Sequence, residues 1–122
     1  MSLHHAESGE VINLLPLGHE LTNTVSTALF RTDQLEAMRL VLTADKEIPE
    51  HQVSGDFTLH CLEGRVELRV DARTEILQAG QMMFVAANVP YAIRALDDSS
   101  LLMTLARAQE VGGGEKNTPP TQ

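Results

Sequence analysis

Short β-type segments separated by turn residues occupy most of this 122-residue chain, and no segment between them has the periodicity of an amphipathic helix. One segment shows the pattern clearly, because Val66, Leu68 and Val70 alternate with Glu67 and Arg69. Such alternation is typical of a strand with one buried and one exposed face. About nine or ten segments of this kind predict an all-β domain built as an antiparallel sandwich or barrel.

Two N-terminal segments belong to the same pattern. Residues 35–43 contain good helix formers, but their apolar residues recur with a period of two. Met38, Leu40 and Leu42 therefore share one face, which favours a strand. Residues 10–15 are a short apolar segment followed by a proline and a glycine, and we predict a strand at a sheet edge there.

The chain length fits a single domain. Hydrophobic residues make up 43% of the sequence and charged residues 21%, which is typical of a globular protein. Residues 1–9 are mostly polar, and residues 110–122 are rich in glycine, proline and polar side chains. Both ends are expected to be disordered, so the β-barrel domain is expected to span residues 10–109.

Charge and cysteine content narrow the classes of partner. Nine basic against seventeen acidic side chains give a net charge of −8, which opposes binding to nucleic acid. No apolar run approaches the roughly 20 residues of a membrane span, and no secretory signal is present, so a cytoplasmic location is expected. The lone cysteine, Cys61, lies in an apolar segment and is interpreted as an inert thiol.

Two stretches combine turn residues with chemically distinctive side chains. Residues 45–64 read DKEIPEHQVSGDFTLHCLEG, and residues 80–95 read GQMMFVAANVPYAIRA. Gly64 and Gly80 stand where tight turns between strands favour a positive φ, and Asn88 is the next most tolerant residue type for that conformation.

These stretches resemble the paired motifs of the cupin superfamily, G-x5-H-x-H-x3-E-x6-G and G-x5-P-x-G-x2-H-x3-N. On that spacing the first motif falls on Asp45, His51, Val53, Phe57 and Gly64. The second falls on Gly80, Ala86, Asn88, Tyr91 and Ala95. The resemblance extends over roughly residues 35–105 and implies a jelly-roll barrel, also called a double-stranded β-helix.

In metal-binding cupins these motifs supply three histidines and a glutamate to an iron, manganese, zinc, copper or nickel ion, so the resemblance implies ligand positions at His51, Val53, Phe57 and Tyr91. Val53 and Phe57 have no lone pair to donate, and a phenol is a weak ligand unless it is ionised. The remaining imidazole cannot supply the three or four ligands of a stable divalent site. We therefore expect no metal and no other cofactor.

Other polar side chains of the motif strands are expected to lie away from this point. His60 shares a strand with Phe57, but strand parity places it on the opposite face. Three carboxylates are interpreted as solvated residues of the rim or of the strands, namely Glu50, Glu63 and Glu67.

The side chains at the implied ligand positions are expected to line an apolar cavity. Two polar groups in it, the imidazole of His51 and the phenol of Tyr91, can form hydrogen bonds. The rest of the predicted lining is apolar and consists of Met38, Leu40, Val53, Phe57, Leu59 and Ile93. Such a cavity suits a small, largely apolar organic ligand. Alternatively, Phe57 and Tyr91 fill the space that a metal and its waters would occupy.

Three functions are compatible with the resemblance. The first is a small-molecule-binding or accessory module without chemistry of its own. The second is a metal-independent isomerase or epimerase with His51 as general base and Tyr91 as general acid, a pairing that some cupin-type sugar epimerases are understood to use. A nucleotide-sugar substrate calls for basic side chains, and the motif strands supply only Lys46, Arg65 and Arg94. The third function, a metal-dependent oxygenase or isomerase, requires ligands that the motifs lack.

The resemblance also implies a homodimer, because small cupins commonly dimerise by packing a sheet face or by exchanging N-terminal strands. Three apolar segments are compatible with such contacts, at residues 10–15, 82–86 and 101–106.

Overall fold

The computed structural model describes residues 5–107, and in that range the chain forms nine strands and one short 3-10 helix, Gly18–Asn23. The strands are β1 (Thr27–Arg31), β2 (Leu35–Leu42), β3 (Glu47–His51), β4 (Phe57–Glu63), β5 (Arg65–Val70), β6 (Arg73–Gln78), β7 (Met82–Val85), β8 (Tyr91–Ala95) and β9 (Ser99–Ala106). The expected disordered tail, residues 110–122, lies outside the described residues.

The strands form two antiparallel sheets, one of five strands in the order β1-β2-β9-β4-β7 and one of four strands in the order β3-β8-β5-β6. Neighbours in each sheet are mostly distant in sequence, as in a jelly roll. The predicted all-β class is confirmed. No helix within residues 5–107 is long and apolar enough to cross a membrane.

The inner faces of the two sheets share one hydrophobic core, and strand parity decides which side chains enter it. Along β4, Phe57, Leu59 and Cys61 are buried, whereas His60 is half-buried on the outer face, as parity predicts. Leu68 and Ile93 contribute from the facing sheet and are fully enclosed. The tightest turns also follow the prediction, because φ is +84° at Gly64, +90° at Gly80 and +66° at Asn88.

One segment differs from the prediction, and one strand contains a proline. Residues 10–15 form no strand, because the backbone near them binds side chains of the barrel instead of joining a sheet ladder. Residues 47–51 form a strand, β3, although Pro49 lies inside it. Proline is tolerated there because β3 is a sheet edge and its pairing with β8 shifts register between Ile48 and His51.

A buried polar cluster fastens the N-terminal segment to the outer face of the five-stranded sheet. The Glu63 carboxylate accepts hydrogen bonds from the backbone N–H groups of Leu17 and Gly18 and from the Ser100 hydroxyl at 2.6 Å. Arg39 lies 3.4 Å from the same carboxylate and donates to a backbone carbonyl of the N-terminal segment at 2.7 Å. The side chain of Glu63 is only 15% exposed. The interpretation of Glu63 as a solvated residue was therefore wrong.

Candidate functional site

Three strand ends bring the aromatic side chains of the two motifs together. His51 is the last residue of β3 and pairs with Tyr91, the first residue of β8. Phe57, the first residue of β4, faces them from the other sheet. We call these three residues the aromatic cluster. The cluster bridges both sheets at one end of the sandwich, at positions where the motif spacing places metal ligands.

A hydrogen bond joins the two polar members of the cluster. The Tyr91 hydroxyl lies 3.0 Å from His51 Nε2, and His51 Nδ1 lies 3.0 Å from the Pro49 carbonyl oxygen. A carbonyl oxygen can only accept, so in the neutral imidazole Nδ1 carries the hydrogen and Nε2 carries the lone pair. The phenol therefore donates to Nε2, and the chain Tyr91–His51–Pro49 fixes both the tautomer and the ring orientation.

Ring packing completes the cluster. The Phe57 and Tyr91 ring centroids are 4.7 Å apart with a tilt of 52°, and those of His51 and Tyr91 are 4.6 Å apart. Phe57 and Tyr91 are buried, whereas His51 is exposed. Burial raises the pKa of the Tyr91 phenol, so the phenol stays protonated at neutral pH and acts as a hydrogen-bond donor.

The other predicted lining residues belong to the hydrophobic core or pack against it, at different depths. Leu59 and Ile93 are fully buried in the shared core. Met38 and Leu40 are half-buried in β2 and pack against that core. Val53 lies in the loop before β4, also packs against the core, and accepts a backbone hydrogen bond from Asn88 at 2.7 Å. That these residues hold a ligand remains a prediction.

The donor set does not fit a resident metal. Among the residues that the structure describes, no group of three or more His, Cys, Asp or Glu side chains is placed to hold an ion. The Nε2 lone pair of His51 is engaged by a phenol whose pKa is raised, which disfavours the phenolate form that a metal would need. At the two remaining ligand positions, Val53 and Phe57 offer carbon atoms only. No step that uses a metal can be derived from these residues.

Sequence reasoning missed the group that orients His51. The orienting atom is a backbone carbonyl, that of Pro49, which any residue would provide, so no side-chain signal marks it. The Cys61 thiol is fully buried and burial raises its pKa, which supports its interpretation as an inert thiol. His60 lies on the outer face, where β4 pairs it with Met82 and Leu102, and takes no part in the cluster.

Comparison with known proteins agrees with the fold. A family model described as "Cupin domain" matches residues 38–106, more than half of the chain. A conserved protein of unknown function from Streptococcus pyogenes is 24% identical with a TM-score of 0.69, and the match covers 89% of this chain and 97% of that one. An RmlC-like cupin from Shewanella frigidimarina is 22% identical with a TM-score of 0.65, covering 70% and 77% of the two chains.

A cupin superfamily protein from Desulfitobacterium hafniense is 16% identical with a TM-score of 0.68, covering 81% of this chain and 100% of that one. At these identities the likeness concerns the fold alone. No curated protein sequence matches the chain.

Proposed function

The chain belongs to the family of cupin domains, and we propose that it is a metal-independent member that binds a small organic molecule at the His51–Tyr91 pair. The observation that carries the proposal is the hydrogen bond from the Tyr91 hydroxyl to His51 Nε2, which stands where the motif spacing places metal ligands. The pair offers one donor and one acceptor beside apolar walls, which is the usual composition of a small-molecule site.

Exposure suggests how a ligand reaches the pair. Tyr91 is only 3% exposed, but the His51 ring that covers its hydroxyl is solvent-accessible and ends an edge strand. A small outward movement of the imidazole would free both the phenol and Nε2. Binding would then exchange the Tyr91–His51 hydrogen bond for bonds to the ligand, while the Phe57 ring remains the apolar floor.

An acid–base enzyme is the alternative function, and one observation favours it. The bond from the Tyr91 hydroxyl to His51 Nε2 is a path along which a proton can pass between a general acid and a general base. The scarcity of basic side chains counts against a nucleotide-sugar substrate for such an enzyme, because the motif strands supply only Lys46, Arg65 and Arg94. We therefore place binding first and isomerase or epimerase activity second.

The test measures binding in variants of the pair. A panel of sugars, sugar phosphates, short carboxylic acids and phenols is screened by thermal shift, and each ligand found is titrated by calorimetry. Tyr91→Phe and His51→Gln are each expected to weaken binding about five- to tenfold, the effect of losing one hydrogen bond. His60→Gln, a histidine change on the outer face, should leave the affinity within about twofold.

Two outcomes would change the assignment. Unaltered affinity in both Tyr91→Phe and His51→Gln would remove the ligand from this pair. Turnover of a panel compound by the wild type that is lost in both variants while binding persists would favour the enzyme.

That the chain forms a homodimer remains a proposal based on its resemblance to small cupins. Because residues 10–15 bind their own barrel through the Glu63 and Arg39 cluster, a sheet face is the simpler route to it.

A further inference from the structure

A groove opens along the side of the sandwich where the edge strands of the two sheets meet. β6 is the edge of the four-stranded sheet and β7 is the edge of the five-stranded sheet. Among the described residues, β6 pairs only with β5 and β7 only with β4, so no backbone ladder closes this side. The groove between them has a volume of about 620 Å³. Its size lies within the range of roughly 300–1,000 Å³ typical of small-molecule sites.

The floor of the groove is apolar, and its walls combine apolar with polar side chains. Its floor is continuous with the core, because it is formed by Val70, Leu77 and Met83. Its walls are unusual because they keep large apolar side chains in solvent, and the exposed fractions are 51% for Ile76, 62% for Met82 and 64% for Phe84. The flexible Met82 thioether adapts to ligands of varied shape, and the Phe84 ring offers a flat contact surface.

The polar side chains of the groove offer mainly hydrogen-bond donors. Arg73 has a side chain that is 78% exposed, and its described contact is one bond from Nη2 to Glu75, which leaves other N–H donors for a ligand. Gln81 uses its amide oxygen to accept from the Gln78 N–H, so its NH₂ group is directed elsewhere. One oxygen of the Glu75 carboxylate, Oε2, accepts a hydrogen bond from Arg73 Nη2. The groove therefore matches an apolar body that carries an acceptor or anionic group.

We propose that the groove between β6 and β7 is a second binding site, separate from the aromatic cluster, for a small aromatic or aliphatic molecule with one anionic group. A small molecule fits better than a protein partner, because nine residues line the groove whereas a specific protein interface uses about 20–30 residues on each side. The proposal does not depend on the function assigned to His51 and Tyr91.

Two fluorescent probes test the site on the full-length folded protein at neutral pH. One is 8-anilino-1-naphthalenesulfonate, which is anionic, and the other is N-phenyl-1-naphthylamine, which is neutral. Each is expected to bind saturably with one molecule per chain. Arg73→Gln should weaken the sulfonate about tenfold and the neutral probe less than about twofold, since only the sulfonate gains a charge-assisted hydrogen bond.

Variants of the walls test the apolar contacts. The double variant Met82→Ser and Phe84→Ser, and separately Ile76→Ser, should weaken both probes about tenfold or more. All three positions are exposed, so the fold is expected to persist, and a cooperative thermal transition verifies it. The matched control is the double variant Val11→Ser and Val25→Ser, which removes apolar side chains that are 93% and 73% exposed away from the groove. Its affinities should equal those of the wild type.

Three results would overturn the proposal. The first is the absence of saturable probe binding. The second is a loss of probe affinity in the Val11 and Val25 control as large as that in the Met82 and Phe84 variant. The third is unchanged probe affinity in the Met82 and Phe84 variant. If that variant instead converts a dimer to a monomer in sedimentation while no probe binds saturably, the groove is a contact between copies of the chain. His51→Gln should leave both probes unaffected, so a failure at the groove is distinguishable from a failure at the aromatic cluster.

Discussion

Replacing Glu63 with glutamine is expected to lower the free energy of unfolding by about 3 kcal/mol at pH 7, as for other broken buried ion pairs. The carboxylate neutralises the guanidinium of Arg39, which is 8% exposed and whose Nε has no acceptor among the described residues. The carboxylate also accepts from the Ser100 hydroxyl and from the N–H groups of Leu17 and Gly18. A glutamine keeps the shape, but it leaves the Arg39 charge buried without its counter-ion.

The same carboxylate should make stability depend on pH. Burial opposes its ionisation, but the hydrogen bonds from Leu17, Ser100 and Gly18 and the charge of Arg39 together hold its pKa below the ordinary glutamate value. Because the pKa is lower in the folded state than in the unfolded state, the stabilisation is full above the unfolded pKa of 4.5 and is lost as the pH falls through the folded value. The wild type should therefore lose stability below about pH 4.5, whereas this contribution is absent from Glu63→Gln.

Urea unfolding from pH 7 to pH 3 measures both effects. The control is Glu67→Gln. The Glu67 side chain is 36% exposed, and its carboxylate lies 3.3 Å from the Arg94 guanidinium. An exposed pair contributes little, so this control should cost less than about 1 kcal/mol. If Glu63→Gln proves no more costly than Glu67→Gln, the polar cluster does not hold the N-terminal segment in the way described.

Replacing Gly64 with alanine is the second change expected to have a large effect, about 2–5 kcal/mol of lost stability. Gly64 has a φ of +84°, which costs an L-residue roughly 1–2 kcal/mol. A Cβ there would also overlap the Ser99 hydroxyl and the Asp98 carbonyl oxygen, and it would lie 2.8 Å from Ser99 Cα. The hydroxyl cannot move aside freely, because it accepts from the Arg65 N–H and donates to the Asp97 carbonyl. Overpacking of this kind adds roughly 1–3 kcal/mol.

Gly80→Ala is the matched control for this change. Gly80 has a φ of +90°, but a Cβ there would meet nothing within 4 Å. Only the backbone cost of about 1–2 kcal/mol should therefore remain. Chemical unfolding of both variants separates conformational strain from steric overlap. Equal losses at the two glycines would mean that the chain near Ser99 yields to the added methyl group.

The fold could be predicted from the sequence because its signals are local. Alternation such as that of Val66, Leu68 and Val70 depends only on strand parity, and turn glycines such as Gly64 depend only on the backbone. The N-terminal segment was mispredicted for a physical reason. The Leu15 carbonyl accepts from Arg39 and the nearby Leu17 N–H donates to Glu63, partners that are distant in sequence, so the local apolar pattern predicted the wrong element.

The site was predictable in part. Motif spacing placed His51, Phe57 and Tyr91 at one point, and their side-chain chemistry argues against a metal. The spacing could not predict that the Tyr91 hydroxyl would donate to His51 Nε2, because this bond depends on the register of β3 against β8 and on the Pro49 carbonyl. The groove between β6 and β7 could not be predicted from the sequence either, because its walls come from the edges of two different sheets.

Titration calorimetry with Zn²⁺, Mn²⁺, Ni²⁺ and anaerobic Fe²⁺ tests the central claim, a cupin site that works without a metal, most directly. The protein should carry substitutions of His4 and His5, two consecutive histidines of the sequence that lie outside the motifs. The account predicts no stoichiometric binding of any of these ions, and ligand affinity at the His51–Tyr91 pair that is equal with and without a chelator. One equivalent of metal per chain, bound by this protein and lost in His51→Gln, would contradict it.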